Sequence, residues 1–205
     1  MTSLLAFVAL LPPSPATLVF VRHGETVANA TGKYNSKTLN VFSEKGQKQV
    51  QALTRTLLKE PKFDQILVSP SPRALRTIAP YLDATGQKAE IWPLLYECCT
   101  ERPRQTEAKS FLYGAKITIP SDLDPSRFVI FSNDDHFPAP RNYGEGLVQV
   151  RVGVEIFQRR FGDRRILVVG HSAQGGLFIK GLTGKTVRVQ NATPLTFTVR
   201  AKGKS

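Results

Sequence analysis

Short apolar runs rich in β-branched residues alternate along this chain with segments of helical periodicity. Apolar residues at Val50, Leu53 and Leu57 repeat at helical spacing, and Ser71-Pro72 provides the cap and first-turn proline of a second helix. The whole pattern predicts strands at 17–21, 63–69, 90–92, 165–169 and 195–199, and helices at 47–58, 71–82, 147–161 and 174–182. Such alternation buries a parallel sheet between helices, so we predict a three-layer α/β/α fold with a mostly parallel central sheet.

The size of the chain fits one domain. It has 205 residues, of which 41% are hydrophobic, which is enough to bury a core and excludes an intrinsically disordered chain. We see no internal repeat and no linker, so residues 17–205 are predicted to form a single domain.

The first 16 residues are apolar and uncharged. The run is too short to cross a bilayer, and we predict no stable membrane insertion. It is typical either of a signal peptide or of an N-terminal arm, although no Lys or Arg precedes it. A signal peptide would imply a secreted or periplasmic protein, and an arm would imply a cytoplasmic one.

The net charge is strongly positive and unevenly distributed. The 28 Lys and Arg residues exceed the 16 Asp and Glu residues by 12, and residues 164–205 hold eight basic and no acidic side chains. No block of five like charges and no aromatic interleaving occurs, so the pattern indicates a solvated basic face without specific nucleic-acid binding. A binder of anionic polymers that uses this segment stays open as an alternative.

The two cysteines, Cys98 and Cys99, are neighbours in the sequence. A disulfide between adjacent residues is strained, so we expect no structural disulfide.

Two of the three histidines follow buried strands directly. His23 follows the run 17–21 by two residues, and His171 follows the run 165–169 in the same way. Ligands of open α/β sheets bind at the carboxyl ends of the strands. This placement therefore indicates a functional site that contains both imidazoles.

The motifs around these histidines resemble those of the histidine phosphatase superfamily, the phosphoglycerate mutase-like proteins. The resemblance covers residues 17–200 in the family's order, and the match is to the phosphatase-type branch marked by Arg-His-Gly-Glu. It rests on Arg22-His23-Gly24-Glu25-Thr26 with Asn29, Arg73-Ala74-Leu75-Arg76-Thr77, Leu95-Tyr96-Glu97, Gly144-Glu145 with Arg151, and Gly170-His171.

This resemblance implies a metal-independent, acid-type histidine phosphatase without a cofactor. His23 would be the nucleophile, because a neutral imidazole can attack phosphorus and form a phosphohistidine. Arg22 and Arg73 would bind phosphoryl oxygens, since a guanidinium matches them bidentately. His171 and Asn29 would donate further hydrogen bonds.

A leaving alcohol also needs a proton. Glu97 is the predicted general acid and then the base for the attacking water, and Glu101 is the fallback. Glu145 and Ser172 are predicted substrate-binding residues. Asp134-Asp135-His136 stands alone, so we predict no metal site.

The chain departs from its relatives at two places. Glu97 is followed by Cys98-Cys99-Thr100, where the mutases have Arg-His-Tyr-Gly, and Gly146 replaces a serine that many relatives carry. The prediction is therefore a phosphomonoesterase, with a mutase-type phosphoryl transferase or a non-catalytic phospho-ligand binder as the alternatives. The expected partners are a phosphorylated small molecule or a phosphopeptide, and the expected state is a monomer or a homodimer.

Substrate specificity is expected in residues 98–143, which five prolines mark as a loop. Four side chains there are candidate substrate contacts, and no spacing argument ranks them: Arg102, Arg104, His136 and Arg141.

Overall fold

The computed structural model describes residues 15–98, 112–130 and 135–200. Six strands and five helices lie in these ranges. The strands are β1 (Ala16–Arg22), β2 (Gln65–Val68), β3 (Ala89–Ile91), β4 (Phe128–Ile130), β5 (Arg165–Gly170) and β6 (Leu195–Val199). The helices are α1 (Val27–Thr31), α2 (Glu44–Leu57), α3 (Pro72–Thr85), α4 (Tyr143–Arg160) and α5 (Ala173–Thr183). Short 3-10 turns cover Pro93–Leu95 and Pro125–Arg127.

The strands form one sheet in the order β4-β3-β2-β5-β1-β6. All neighbours are parallel except β1 and β6, which run antiparallel. The register places Val19 opposite Leu167 and Arg22 opposite Gly170, so β1 and β5 end level with each other. The predicted mostly parallel α/β sheet is confirmed.

Alternate side chains of β1 divide the core into two parts. Val19 and Val21 pack with α2 and α3 on one face, whereas Leu18 and Phe20 pack with α4 and α5 on the other. This pleat alternation requires helices on both faces, and it produces the three layers. None of the described helices is both long enough and apolar enough to cross a membrane.

The predicted elements differ most from the structure at two places within the described residues, and α2 also begins at Glu44 and not at the predicted Gln47. The helix predicted to begin at Leu147 begins at Tyr143, because the side chain of Asn142 accepts the backbone N–H of Glu145 and caps it. The stretch 98–143, predicted as loop, contains β4. This strand is only three residues long, and two of its residues are exposed at the sheet edge, so it lacks a recognisable apolar run.

The short helix α1 was not predicted. Thr26 caps it, since its side chain accepts the N–H of Asn29 while the side chain of Asn29 accepts the N–H of Thr26. This capping box turns the chain directly after the first motif.

The expectation about the cysteines was also wrong, because Cys98 is disulfide-bonded. The sequence holds one other cysteine. Strain makes a bridge between neighbours rare, but it does not forbid one. Cys99 and the fallback acid Glu101 lie outside the described residues.

Candidate active site

The level ends of β1 and β5 bring the two predicted histidines together. The backbone N–H of His23 donates to the carbonyl of Gly170 at 3.0 Å, which continues the ladder by one step past the strands. The imidazoles of His23 and His171 lie with their centroids 5.3 Å apart in an edge-on arrangement. Both are buried, at 3% and 0% exposure. The structure therefore brings together the two imidazoles that the sequence predicted to share a site.

A backbone hydrogen bond fixes the tautomer of His23. Its Nδ1 lies 2.8 Å from the carbonyl oxygen of Gly24, and a carbonyl can only accept, so Nδ1 carries the proton. The lone pair of a neutral imidazole is then on Nε2, which faces the guanidinium of Arg73.

The loop that carries His23 is held in place by α2 and α3. Gly24 donates its N–H to the hydroxyl of Thr77, and Glu25 donates its N–H to Gln49. A Cβ on Gly46 would clash with the backbone carbonyl of Glu25, so only glycine permits this approach. The hydrogen bond from Lys45 lowers the pKa of Glu25, with Ser43 adding to the effect.

Arg73 lies between the two histidines. It comes from the first turn of α3, and its Nε donates to Nε2 of His23 at 3.3 Å. Its Nη2 is 3.2 Å from Nδ1 of His171, and its Nη1 donates to the side-chain oxygen of Asn40 at 3.1 Å. The residue is only 3% exposed, so one buried guanidinium connects both imidazoles.

Two serines hold the outer nitrogen of His171. Because an arginine can only donate, Nδ1 of His171 accepts from Arg73, and the proton of the neutral ring is on Nε2. That Nε2 donates to the hydroxyl of Ser69 at 2.7 Å, with the hydroxyl of Ser71 3.3 Å away. Both serines follow β2, the neighbour of β5, so a third strand end contributes to the site.

The remaining residues of the first motif flank this cluster. The amide oxygen of Asn29 accepts from Thr26 and, at 3.5 Å, from Asn191, which leaves its NH₂ group as the end that can donate to an anion. Asn191 also donates to the carbonyl of His23 at 2.8 Å. The half-buried Arg22 donates to the carbonyl of Val189 at 3.4 Å.

The predicted acid Glu97 is buried, at 5% exposure, directly after Tyr96. Its Oε1 accepts the backbone N–H of Gln174 at 2.9 Å, in the first turn of the helix that follows His171. The ring of Tyr96 lies edge-on to His171 with centroids 6.1 Å apart. Burial raises the pKa of Tyr96, which therefore stays neutral. Glu97 thus stands on the His171 side of the site.

Two predicted substrate contacts are placed without a described bond to the histidines. Glu145 pairs with Arg141 at the first turn of α4, and this hydrogen bond lowers the pKa of Glu145. Ser172 is half-buried at the N-terminal end of α5, where its side chain makes no capping bond. Their predicted binding roles stay predictions.

Of the other candidate contacts, His136 has no described bond to either histidine of the cluster. His136 lies 2.7 Å from Asp135, which also pairs with Lys116. Arg102 and Arg104 lie outside the described residues. In the described part of the chain, no three His, Cys, Asp or Glu side chains are grouped so that they could hold a metal ion.

Several residues that hold the site were missed by the sequence analysis. Ser69 and Ser71 had a signal, since Ser69 ends the predicted strand 63–69 and Ser71 lies two residues after it, as the histidines lie two residues after theirs. Asn40, Asn191 and Gln174 had none, because their contacts join segments far apart in the sequence.

Comparison with known proteins agrees with this geometry. The family model of the histidine phosphatase superfamily, branch 1, matches residues 18–198. An adenosylcobalamin/alpha-ribazole phosphatase from Salmonella typhimurium is 39% identical over 169 residues, which are 80% of this chain and 78% of that protein. The enzyme of the same name from Escherichia coli is 30% identical over 174 residues, which are 82% of this chain and 79% of that protein.

Among solved structures, the alpha-ribazole phosphatase from Shigella flexneri has the same fold. Its TM-score is 0.59 at 23% identity, covering 92% of this chain and 99% of that one. The family predicted from the motifs is confirmed: the chain belongs to branch 1 of the histidine phosphatase superfamily and is a phosphatase.

Proposed function

We propose that this chain hydrolyses a small-molecule phosphomonoester, without a metal ion, through a phosphohistidine on His23. One observation carries the proposal: buried Arg73 donates to Nε2 of His23 and contacts Nδ1 of His171. A phosphoryl group placed there would meet a nucleophile, a guanidinium and a second imidazole at once, which is what phosphoryl transfer needs.

The first step replaces one of these contacts. When substrate enters, the Nε–H of Arg73 exchanges its bond to His23 for one to a phosphoryl oxygen, and the lone pair of His23 Nε2 becomes available. That lone pair forms a bond to phosphorus while the bond from phosphorus to the alcohol oxygen breaks. Glu97 gives its proton to the departing oxygen. Because Oε1 of Glu97 accepts from Gln174, the transferred proton is on Oε2.

The second step reverses these roles. A water gives a proton to the Glu97 carboxylate, its oxygen bonds to phosphorus, and the bond from phosphorus to Nε2 breaks. Inorganic phosphate leaves, and both His23 and Glu97 return to their starting forms. Arg22, Arg73 and Asn29 bind the phosphoryl oxygens in both steps. His171 joins them as an imidazolium whose Nδ1–H replaces its contact with Arg73.

The acid-type character belongs to the same proposal. Catalysis needs a neutral His23 and a protonated Glu97 at the start of the cycle. The pH profile of kcat/KM on alkyl phosphates tests this character, and a rate that is higher in alkaline than in acidic medium would contradict it.

The curated relatives suggest the substrate class. Those at 30% and 39% identity are named adenosylcobalamin/alpha-ribazole phosphatases. We therefore propose a nucleotide-like 5'-phosphate, such as alpha-ribazole 5'-phosphate, in preference to a phosphopeptide. A screen of this compound against sugar phosphates and phosphopeptides measures the preference as kcat/KM.

The mechanism is tested with His23→Ala. Hydrolysis of phenyl phosphate should fall at least about 1,000-fold, since the covalent route is removed. The wild type should keep its rate in EDTA and yield an acid-labile phosphoenzyme from labelled substrate. Retained activity in His23→Ala would refute the nucleophile, and loss of activity in EDTA would refute metal independence. A folded, inactive wild type that binds phosphate would support the non-catalytic alternative, and phosphate transfer to an added alcohol would support the mutase-type one.

The expected assembly and partners stay proposals as well. We propose a monomer or homodimer, which a light-scattering measurement of mass distinguishes. The exposed basic residues of 164–200 are proposed to be solvated: Arg164, Lys180, Lys185, Arg188 and Arg200. A steep salt dependence of binding to nucleic acid would contradict this.

A further inference from the structure

The side-chain amides of Gln149 and Gln174 both donate hydrogen bonds to the turn that precedes Glu97. The Nε2 of Gln149 donates to the carbonyl of Leu94 at 3.1 Å and to that of Tyr96 at 3.0 Å. The Nε2 of Gln174 donates to the same Leu94 carbonyl at 3.1 Å. Three hydrogen bonds from two helices therefore converge on three residues of backbone.

Both amides are buried, Gln149 at 8% and Gln174 at 0% exposure. Their Oε1 atoms are buried without a hydrogen-bond partner in the described part of the chain. A buried amide is unfavourable unless its polar atoms are bonded, and here both amides use their donors on the turn while their Oε1 atoms are unbonded in the described residues. The hydrogen bonds of these two side chains are therefore concentrated on the turn before Glu97.

Gln174 contacts the acid at two points. Its backbone N–H binds Oε1 of Glu97, and its side chain binds the turn three residues earlier. It also lies in the first turn of α5, three residues after His171. Glu97 and His171 are thereby held in one rigid unit, and Gln149 fastens that unit to α4.

We propose that Gln149 and Gln174 are positioning residues that set the general acid Glu97 against the leaving oxygen. This inference rests on the proposed role of Glu97. Proton donation requires the donor to lie within hydrogen-bond reach of the departing oxygen, so a shift of the turn by a fraction of an ångström reduces it.

Dependence on the leaving group separates positioning from general stability. p-Nitrophenolate leaves with little help from an acid, whereas phenolate needs a proton. In Gln149→Leu, kcat for phenyl phosphate should fall about tenfold more than kcat for p-nitrophenyl phosphate. This difference is a fraction of the one that complete removal of a general acid would cause. KM should change less than about twofold, because the phosphate-binding groups are untouched.

Gln174→Met provides a second variant, which keeps the backbone N–H that binds Glu97 and should show the same pattern. Gln87→Leu is the matched control: its Nε2 also donates to a backbone carbonyl, that of Phe63 at 2.8 Å, but at the end of α3 remote from the site. Gln87→Leu should not lower kcat for phenyl phosphate more than kcat for p-nitrophenyl phosphate. Thermal melts verify that each variant is folded.

Glu97→Gln distinguishes this inference from the mechanism beneath it. If Glu97→Gln impairs phenyl phosphate selectively but folded Gln149→Leu and Gln174→Met do not, the positioning role is wrong. If Glu97→Gln itself shows no such selectivity, the proposed acid is wrong and this inference falls with it. Should Gln149→Leu fail to fold, the result with Gln174→Met decides.

Discussion

The buried cluster at the ends of β1 and β5 and the exposed ion pair at the start of α4 were both predicted to contact substrate, yet they are built differently. Arg73 is 3% exposed and makes hydrogen-bond contacts with three side chains. The side chain of Arg141 is 86% exposed and pairs with Glu145 alone in the described residues. A buried guanidinium has one geometry available, whereas an exposed one exchanges partners with water. We therefore propose that the cluster performs the chemistry and that the pair acts only on the choice of substrate.

The largest effect on activity is expected from Arg73→Lys. An ammonium keeps the charge but cannot reach both imidazoles and Asn40 with a planar fork. We expect kcat for phenyl phosphate to fall about 100- to 1,000-fold, by analogy with loss of an oxyanion-hole donor. Arg127→Lys, whose ion pairs with Asp83 and Asp124 lie away from the site, is the control and should change kcat less than twofold. Equal losses in both variants would contradict the assignment.

A smaller loss is expected from Ser69→Ala. It removes the hydroxyl that holds Nε2 of His171, while Ser71 stays as a second acceptor 3.3 Å away. We expect kcat to fall about tenfold, because the hydrogen-bond partner of one ring nitrogen fixes the orientation of the whole imidazole. Ser69→Thr should recover part of the rate. Steady-state kinetics with the three proteins measures this, and an unchanged rate in Ser69→Ala would show that Arg73 alone orients His171.

Asn40→Ala tests how much the segment between α1 and α2, which carries Asn40, contributes to holding Arg73 in the cluster. The Asn40 side chain accepts from Arg73, and its backbone carbonyl accepts from Arg76, which forms a bidentate pair with Asp122. The contact between Arg76 and the backbone carbonyl of Asn40 is kept in this variant. KM should therefore rise about three- to fivefold with a smaller change in kcat, which corresponds to a loss of about 1 kcal/mol in the free energy of phosphate binding. Asn40→Asp, which still accepts from Arg73, should lie nearer the wild type. A fall confined to kcat would contradict a role in binding.

The smallest effect is expected at the exposed pair. Glu145→Gln should change kcat/KM for phenyl phosphate less than twofold. If the pair acts only on substrate specificity, a substrate as small as phenyl phosphate does not extend to it at the start of α4. The hydrogen bond from Arg141 lowers the pKa of Glu145 below its ordinary 4.5. The pair is therefore intact above that value and is lost as pH falls through the lowered pKa. Any difference between Glu145→Gln and wild type on a larger phosphoester should vanish in that acidic range, and a difference that persists there would refute the ion pair as its cause.

Local sequence patterns predicted most of the fold because each pattern reports a local preference. The β-branched apolar run of β1 and the cap and first-turn proline at Ser71-Pro72 both act within a few residues, so their elements were predicted closely. The strand β4 was not predicted from the sequence because it forms by pairing with β3, a partner more than thirty residues earlier in the chain. The start of α4 was placed too late because Gly144 and Gly146 mask a first turn that Asn142 stabilises.

The amino-acid sequence was enough to identify the two histidines, Arg22, Arg73 and Glu97 as candidates, and to predict the alternation of strands and helices that brings strand ends to one edge. It could not show which nitrogen of each imidazole faces the site, that Arg73 connects the two rings, or that Gln149 and Gln174 hold the turn before Glu97; the folded structure shows all three. The difference arises because strand and helix formation depend on neighbours along the chain. A hydrogen bond between side chains from different elements depends on register, helix placement and burial, which the folded core alone sets.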